Sequence, residues 1–251
     1  MKRILQRMLK KINYTTHSSL VDGSYQPIPK DMDEEFKDIY NKCRYYTMTS
    51  MERMYALYKS VEYIINAEIP GDFVECGVWK GGSSMIMAHT LQKIGDLSRN
   101  IYLYDTFEGM VKPTEKDIKI SDSMPAIEKW EKIGRDSNKW AFSSIEDVRK
   151  NMMSTGYPLD KFIFVKGRIE ETIPGKVPQR ISILRLDTDW YESTYHELKH
   201  LFPLLSAEGV LVIDDYGYWA GAKEAVDKYF NENKIKIFLC RIDNTGRIGI
   251  K

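Results

Sequence analysis

The chain has 251 residues, enough for one sizeable α/β domain and too few for two ordinary domains with a linker. Its 37 Lys and Arg nearly balance 36 Asp and Glu, so charge gives no case for a nucleic-acid partner. Cys43, Cys76 and Cys240 are widely spaced and form no CxxC pair, which argues against a disulfide framework or a zinc site and is typical of a reducing cytoplasm. No apolar run approaches the roughly 20 residues that cross a bilayer. We therefore expect a cytoplasmic protein without a transmembrane segment.

The N-terminal part is predicted to be helical. Residues 1–12 place apolar side chains on one helical face and basic side chains on the rest. Such a helix either lies on a membrane surface or packs on its own or a neighbouring subunit, and the second alternative is favoured. A polar stretch follows, and a helical pattern then runs from about Met32 to Ala67. We assign residues 1–70 to a helical extension or lid that belongs to the same domain as residues 71–251.

From Gly71 onward, short apolar segments of strand type alternate with helical patterns. This alternation predicts an α/β fold with a mainly parallel sheet and helices on both faces. The last two strands are joined by a tight turn at 244–246 and predict one antiparallel strand near an edge. The segment 107–141 has little periodicity, and a connection of that length is usually functional, often a lid. The predicted strands are 72–76, 101–104, 162–165, 181–186, 210–213, 235–241 and 247–250, and the predicted helices are 83–94, 143–153, 192–205 and 220–230.

Residues 72–84 read as a strand, a glycine turn and the start of a helix. Open α/β sheets bind ligands at the carboxyl ends of their strands, so a cofactor is expected here. The glycine spacing is not G-x-G-x-x-G, and Trp79 stands where a dinucleotide site needs glycine, so NAD is unfavoured. Ser83 is expected to be the N-cap of the helix and is counted with the cofactor-binding residues.

Two acidic residues flank this turn. Glu75 precedes it and can order the loop by accepting backbone N–H bonds, while its charge complements a cationic ligand such as a sulfonium. Asp105 ends the next strand, where a carboxylate can accept hydrogen bonds from ribose hydroxyls. A glycine turn alone also occurs in purely structural loops. Glu75, Gly77, Gly81 and Asp105 together favour a nucleoside-type cofactor.

A second acidic feature follows two later strands. Asp187 and Asp189 come after the strand 181–186, and Asp214 and Asp215 come after 210–213. Four carboxylates at neighbouring strand ends repel one another unless protons or a cation neutralise them. Oxygen ligands suit a hard ion, most simply Mg²⁺, and one acid of the first pair can hold metal while the other reaches a substrate proton. The alternative is that these residues cap the following helices, but their pairing favours the metal.

Several segments in order resemble the macrocin O-methyltransferase family, the TylF-like enzymes that methylate sugar hydroxyls in antibiotics and related glycosides. The resemblance covers about residues 45–230, while the first 40 or so residues and the middle loop match poorly and are the parts that would shape substrate choice. The matching segments are TMTSMER (47–53), GDFVECGVWKGGS (71–83), YDTFEGM (104–110), VKGRIEET (165–172), LDTDWYES (186–193) and GVLVIDDY (209–216).

The resemblance implies a class I S-adenosylmethionine methyltransferase fold with a Rossmann-like, seven-stranded sheet, S-adenosylmethionine as methyl donor and Mg²⁺ as required ion. It also implies a sugar or glycoside acceptor from antibiotic, capsule or lipopolysaccharide biosynthesis, and a homo-oligomer. Asp189 is implied as general base. The implied metal ligands are Asp187, Asp214 and Asp215, and the implied cofactor contacts are Glu75, Gly77, Asp105 and Thr106, with Ser144 near the adenine and Met48 and Thr49 bordering the cofactor.

Other functions remain open at this point. A catechol-type O-methyltransferase would use the same metal chemistry on an aromatic diol, a metal-dependent hydrolase would use the acids without the cofactor, and a non-catalytic subunit would bind cofactor without metal dependence. His196 and His200, one helical turn apart, are a rival base or ordinary helix residues, and the second alternative is favoured.

Overall fold

A seven-stranded sheet forms the centre of the computed structural model, which describes residues 28–133 and 140–251. The strand order is β3-β2-β1-β4-β5-β7-β6. The first five strands are parallel, and β7 runs antiparallel to both of its neighbours, as predicted. The strands are β1 (Asp72–Cys76), β2 (Ile101–Asp105), β3 (Phe162–Lys166), β4 (Ile181–Leu186), β5 (Leu205–Ile213), β6 (Cys240–Arg241) and β7 (Arg247–Ile250).

Helices cover both faces of this sheet, which confirms the predicted layering. Within the described ranges none of them is both long and apolar enough to cross a membrane. One apolar cluster joins α1, α2, α3 and α5 to one face of the sheet, and a second joins α6, α7 and α8 to the other. The helices are α1 (Glu34–Cys43), α2 (Met51–Asn66), α3 (Gly82–Ile94), α4 (Ala126–Ile133), α5 (Ile145–Ser154), α6 (Ile169–Thr172), α7 (Tyr191–Leu201) and α8 (Ala220–Glu232).

The predicted helical run from Met32 to Ala67 is interrupted. After α1 the chain forms a short 3₁₀ turn and an extended stretch at Thr47, and α2 then starts anew with Ser50 as N-cap. The Ser50 hydroxyl accepts the backbone N–H of Arg53 at 3.2 Å, which satisfies a donor that the first turn leaves free. The interruption carries residues 47–49 to the carboxyl edge of the sheet. The predicted helix at residues 1–12 lies outside the described residues, and the division at residue 70 stays a prediction.

Two other segments differ from expectation. The predicted strand 235–241 is strand only at Cys240 and Arg241, because β7 is four residues long and pairs with those two residues alone. The segment 107–141 is described at residues 107–133 and 140–141, and these parts hold more secondary structure than the lack of periodicity indicated. They include α4 and two isolated bridges, one of which joins Lys119 to Trp219 and fastens the segment beside the end of β5.

Candidate active site

The residues that follow β1, β4 and β5 lie side by side, because these strands are neighbours in the sheet. Backbone hydrogen bonds continue one residue past each strand. Gly77 donates to the carbonyl of Tyr104 at 2.9 Å, and Asp187 donates to that of Cys76 at 2.8 Å. Asp214 in turn donates to Leu186 at 2.9 Å. The glycine turn and the acidic pairs are therefore brought to one place, as the sequence predicted.

Gly77 is required by this close approach. Its φ is +83°, in the left-handed region, and a Cβ at this position would lie 1.9 Å from the carbonyl oxygen of Asp187. Only glycine therefore lets the turn after β1 pass directly against the backbone of the acidic loop after β4.

Asp105 holds the glycine turn in place. One of its carboxylate oxygens accepts the backbone N–H groups of Val78 at 2.7 Å and Trp79 at 3.0 Å. The other accepts the N–H of Phe107 at 2.7 Å. The ordering of this loop, expected of Glu75, is thus carried out by Asp105. Neighbouring Thr106 donates its hydroxyl to the Gly109 carbonyl at 2.8 Å.

Glu75 has a different environment from the one expected. It is 1% exposed and accepts hydrogen bonds from the Ser84 hydroxyl and, at 2.8 Å, from Arg185 Nη1. Burial raises the pKa of Glu75, although the charge of Arg185 opposes the shift. Ser83 does not cap α3: the N-cap is Gly81, whose φ of +90° suits glycine, and Ser83 is buried in the first turn.

Two buried guanidinium groups offset part of the negative charge of the acidic cluster. Arg185, in the middle of β4, places Nη2 at 2.8 Å from an oxygen of Asp187 and also at 2.8 Å from an oxygen of Asp214. Arg53 binds the other oxygen of Asp214, and its Nε lies 2.8 Å from Asp243. Burial opposes the charge on Arg185, but the surrounding carboxylates outweigh it and raise its pKa.

Asp187, Asp214 and Asp215 have the arrangement expected of metal ligands. One oxygen from each lies within 4.8 Å of the others, and all three donors are carboxylates, which suit a hard divalent ion. Burial raises the pKa of Asp187 and the charges of Asp214 and Asp189 add to the shift, whereas the charge of Arg185 opposes it. Within the described residues, Oδ1 of Asp187 and Oδ1 of Asp215 make no hydrogen bond or ion pair with protein.

Asp189 differs from these three acids in its backbone conformation and in the neutral group that donates to its side chain. Its φ is +68°, and its own N–H donates to Asp215 at 3.1 Å. The indole Nε1 of Trp219 donates to its Oδ1 at 2.6 Å. Burial raises the pKa of Asp189 to about 6, and the Trp219 hydrogen bond limits the shift. Asp187 and Asp189 line the same space, and the left-handed backbone of Asp189 sets the direction of its side chain.

Two cavities meet at this point. The glycine-turn cavity is lined by Gly77, Asp105 and Thr106 together with residues 167–170. The acid cavity is lined by the four aspartates, Arg53, Lys129 and four aromatic side chains. Five residues line both cavities and mark their junction. They are Met48, Trp79, Ala141, Asp187 and Asp189.

The remaining predicted residues divide between this junction and the surface. Thr49 is 4% exposed, lines the acid cavity, and its hydroxyl has no hydrogen-bond partner in the described part of the chain. A buried hydroxyl without a partner in a cavity wall can form a hydrogen bond with a ligand. Ser144 caps α5 by accepting the N–H of Asp147 at 3.1 Å and lines neither cavity. Its place beside the adenine stays a prediction.

The model of the macrocin O-methyltransferase (TylF) family matches residues 4–248. The chain belongs to this family. It is accordingly an S-adenosylmethionine-dependent O-methyltransferase, and its sheet is that of the class I methyltransferases.

Similar proteins of known activity methylate antibiotics. The chain is 30% identical over 246 residues to the 8-demethyl-8-(2,3-dimethoxy-α-L-rhamnosyl)-tetracenomycin-C 4'-O-methyltransferase of Streptomyces olivaceus, covering 98% of this chain and 88% of that protein. It is 30% identical over 201 residues to the demethyldecarbamoylnovobiocin O-methyltransferase of Streptomyces niveus, covering 80% and 74%. The solved O-methyltransferase NovP superposes with a TM-score of 0.71 at 29% identity, covering 82% of each chain.

The methyltransferase site also contains residues that the sequence had not singled out. Arg185 was detectable, since a charged residue inside the apolar run ISILRL of a central strand must be paired to be buried. Lys129 and Trp140 carried no such signal, because they lie in a segment without periodicity. The Nε2–H of His196 donates to the Ile173 carbonyl at 2.9 Å, and neither His196 nor His200 lines the two cavities.

Proposed function

We propose that this O-methyltransferase transfers the methyl group of S-adenosylmethionine to a sugar hydroxyl of a small-molecule glycoside, with Asp189 as general base and Mg²⁺ held by Asp187, Asp214 and Asp215. The observation that carries the proposal is the position of Asp189. This carboxylate lies at the junction of the two cavities and is held by the neutral indole N–H of Trp219. The activity of the tetracenomycin relative, methylation of a rhamnosyl group, supports a sugar acceptor.

The glycine-turn cavity is the place proposed for the cofactor. Asp105 braces the turn through its hydrogen bonds to Val78 and Trp79, so backbone there is fixed before a ligand binds. The cavity extends to residues 167–170 after β3, which gives an elongated nucleoside room along the ends of β1, β2 and β3. Its junction with the acid cavity is where the methyl group would meet the acceptor.

The charge of the acid cavity supports a divalent ion. Five carboxylates line it, namely Glu75 and the four aspartates, while Arg53, Lys129 and the adjoining Arg185 supply three positive charges. At least two negative charges are left over if all are ionised, which is the charge of one divalent cation. A bound Mg²⁺ would lower the pKa of an acceptor hydroxyl. The unpartnered oxygens of Asp187 and Asp215 are the ligand atoms proposed for it.

The step assigned to the residues of this chain is the transfer of one proton from the acceptor hydroxyl. The Asp189 carboxylate would take the proton of the acceptor hydroxyl. Bound S-adenosylmethionine would supply the methyl group, which the acceptor oxygen would gain as the carbon–sulfur bond breaks and its electron pair stays on sulfur. With its pKa raised to about 6, Asp189 is ionised at neutral pH and is a stronger base than an ordinary aspartate. Trp219 fixes the direction in which this base acts.

Asp189→Asn tests the assignment of the base. It should abolish methylation of a rhamnoside acceptor, with the binding of S-adenosylmethionine measured by calorimetry unchanged. Asp122→Asn, at an acid that pairs with Lys119 away from both cavities, is the matched control and should retain activity. Retained turnover in Asp189→Asn would refute the role of this residue.

Two further measurements separate the other parts of the proposal. Dialysis against EDTA should remove activity and added Mg²⁺ should restore it; full activity without metal would refute the ion and leave methyl transfer intact. A panel of rhamnosides and catechols tests the acceptor, since a preference for catechols would support the catechol-type alternative. We further propose a cytoplasmic homo-oligomer acting in antibiotic, capsule or lipopolysaccharide biosynthesis, and light scattering of the purified protein tests the oligomer.

A further inference from the structure

Lys129 on α4 reaches into the acid cavity without an ionic partner. Its ammonium lies 4.1 Å from the ring centre of Trp140, and within residues 28–133 and 140–251 it forms no hydrogen bond or ion pair. Neighbouring lysines of the same segment behave differently. Lys119 pairs with Asp122 at 2.6 Å, and Lys132 approaches Glu128 at 4.0 Å. Lys129 is therefore held by an aromatic face and its three donor hydrogens are left for something else.

The tryptophan ring that lies against Lys129 is itself packed against two other tryptophan rings. Trp140 packs edge-on against Trp190 with ring centres 5.6 Å apart, and both contact Trp219. Trp219 is the residue that also donates to Asp189. One aromatic cluster thus positions the free cation and the carboxylate that line the same cavity. Burial lowers the pKa of Lys129 and the charge of Asp189 opposes this, so the two groups influence one another although they form no ion pair.

The space between a group that only donates and a carboxylate that accepts is complementary to hydroxyl groups. A sugar hydroxyl accepts a hydrogen bond through its oxygen lone pairs and donates one through its proton. A hydroxyl-bearing ring in the acid cavity can therefore face Lys129 with one oxygen and Asp189 with another. An ammonium would be desolvated at a cost if this position were filled by an apolar group, so it discriminates against apolar acceptors.

We propose that Lys129 is an acceptor-binding residue that donates a hydrogen bond to a hydroxyl of the sugar and so sets the preference for polyhydroxylated acceptors. This inference rests on the proposed function, because it assumes that the acid cavity receives the acceptor. It assigns Lys129 to binding of the acceptor and not to the proton transfer or to the cofactor.

The test compares Lys129→Met with wild-type protein in steady-state methylation of a rhamnoside acceptor. Methionine keeps the length and the packing on Trp140 but removes the donor. We expect KM for the rhamnoside to rise about tenfold or more, the range for a hydrogen bond to a charged group, with kcat changed less and the Kd of S-adenosylmethionine unchanged. Lys129→Arg should recover part of the affinity, and Lys132→Met, one turn along the same helix, should leave KM unchanged.

The outcomes separate the two proposals. An unchanged KM in Lys129→Met, with wild-type protein active, would overturn the inference alone. A fall in kcat at constant KM would also overturn it, because the lysine would then act only as a counter-charge to the acids. If the wild-type protein binds S-adenosylmethionine but methylates no sugar, this result refutes the proposed function independently of Lys129. Thermal unfolding of Lys129→Met within about 2 °C of wild type shows that α4 has kept its place.

Discussion

Replacing Arg185 by methionine should strongly destabilise the fold, because three acids depend on this one guanidinium. The side chain of Arg185 is 3% exposed and pairs at 2.8 Å with Glu75, Asp187 and Asp214. Glu75 and Asp214 are 1% and 6% exposed, whereas Asp187 is 30% exposed and can be hydrated in part. Removing one partner of a buried ion pair costs about 3–5 kcal/mol, since the remaining charge is left without compensation. We expect a loss in this range, mainly from Glu75, because Asp214 keeps its pair with Arg53.

Urea unfolding of Arg185→Met in metal-free buffer measures this loss as a shift of the midpoint at unchanged m-value. The double variant Arg185→Met with Glu75→Gln should lose less than the sum of the single variants, because the glutamine removes the orphaned charge. Lys150→Met is the control, since its pair with Asp147 is 75% and 60% exposed and should contribute within about 0.5 kcal/mol. A loss below about 1 kcal/mol for Arg185→Met, or strict additivity in the double variant, would refute the reasoning.

Three other expectations follow from single residues. Gly77→Ala should unfold at lower urea and lose methyl transfer, because its Cβ would lie 1.9 Å from the Asp187 carbonyl oxygen; wild-type stability would show that the two loops do not need this contact. Asp105→Ala should weaken S-adenosylmethionine binding at least tenfold by calorimetry, because two N–H groups of the glycine turn lose the carboxylate that accepts from them at 2.7 and 3.0 Å. An unchanged Kd would contradict this. Burial raises the pKa of Glu197 well above its usual value, so its contribution to stability is full below pH about 4.3 and is lost as pH rises towards the folded pKa. Glu197→Gln should therefore remove a slope of about 1.4 kcal/mol per pH unit above pH 4.3 from the unfolding free energy, and parallel profiles for the two proteins would exclude it.

The grouping of the acids was predictable because it depends on a property of strands. Residues that follow parallel, neighbouring strands meet at one edge, and Asp187, Asp214 and Asp215 each follow a buried apolar strand. The separate roles of Glu75 and Asp105 near the glycine turn were not predictable in the same way. Glu75 is closer to that turn in sequence, yet it points into the protein towards Arg185, while Asp105 reaches the turn from the next strand.

The part of the candidate site formed by Lys129, Trp140 and Trp219 could not be predicted from local pattern. Lys129 and Trp140 come from a segment of irregular sequence, and Trp219 follows β5 almost eighty residues later. Their meeting depends on a bridge between Lys119 and Trp219, which is a tertiary contact without a sequence period. The environment of Arg185 was partly predictable from the sequence. The presence of this residue in a buried strand showed that acids must surround it, but the identity of those acids required the sheet order.

The different partners of the four aspartates give them different chemistry. Asp214 lies between Arg53 and Arg185, which bind its two carboxylate oxygens. Asp187 also pairs with Arg185, and Asp215 accepts the backbone N–H of Asp189. The hydrogen bond that the Asp189 side chain accepts comes from the neutral indole of Trp219. Both oxygens of Asp214 are bound by guanidinium groups, whereas Asp189 lies at the junction of the two cavities. This difference in partners and position is the physical reason for proposing Asp189, rather than Asp214, as the residue that receives the acceptor proton.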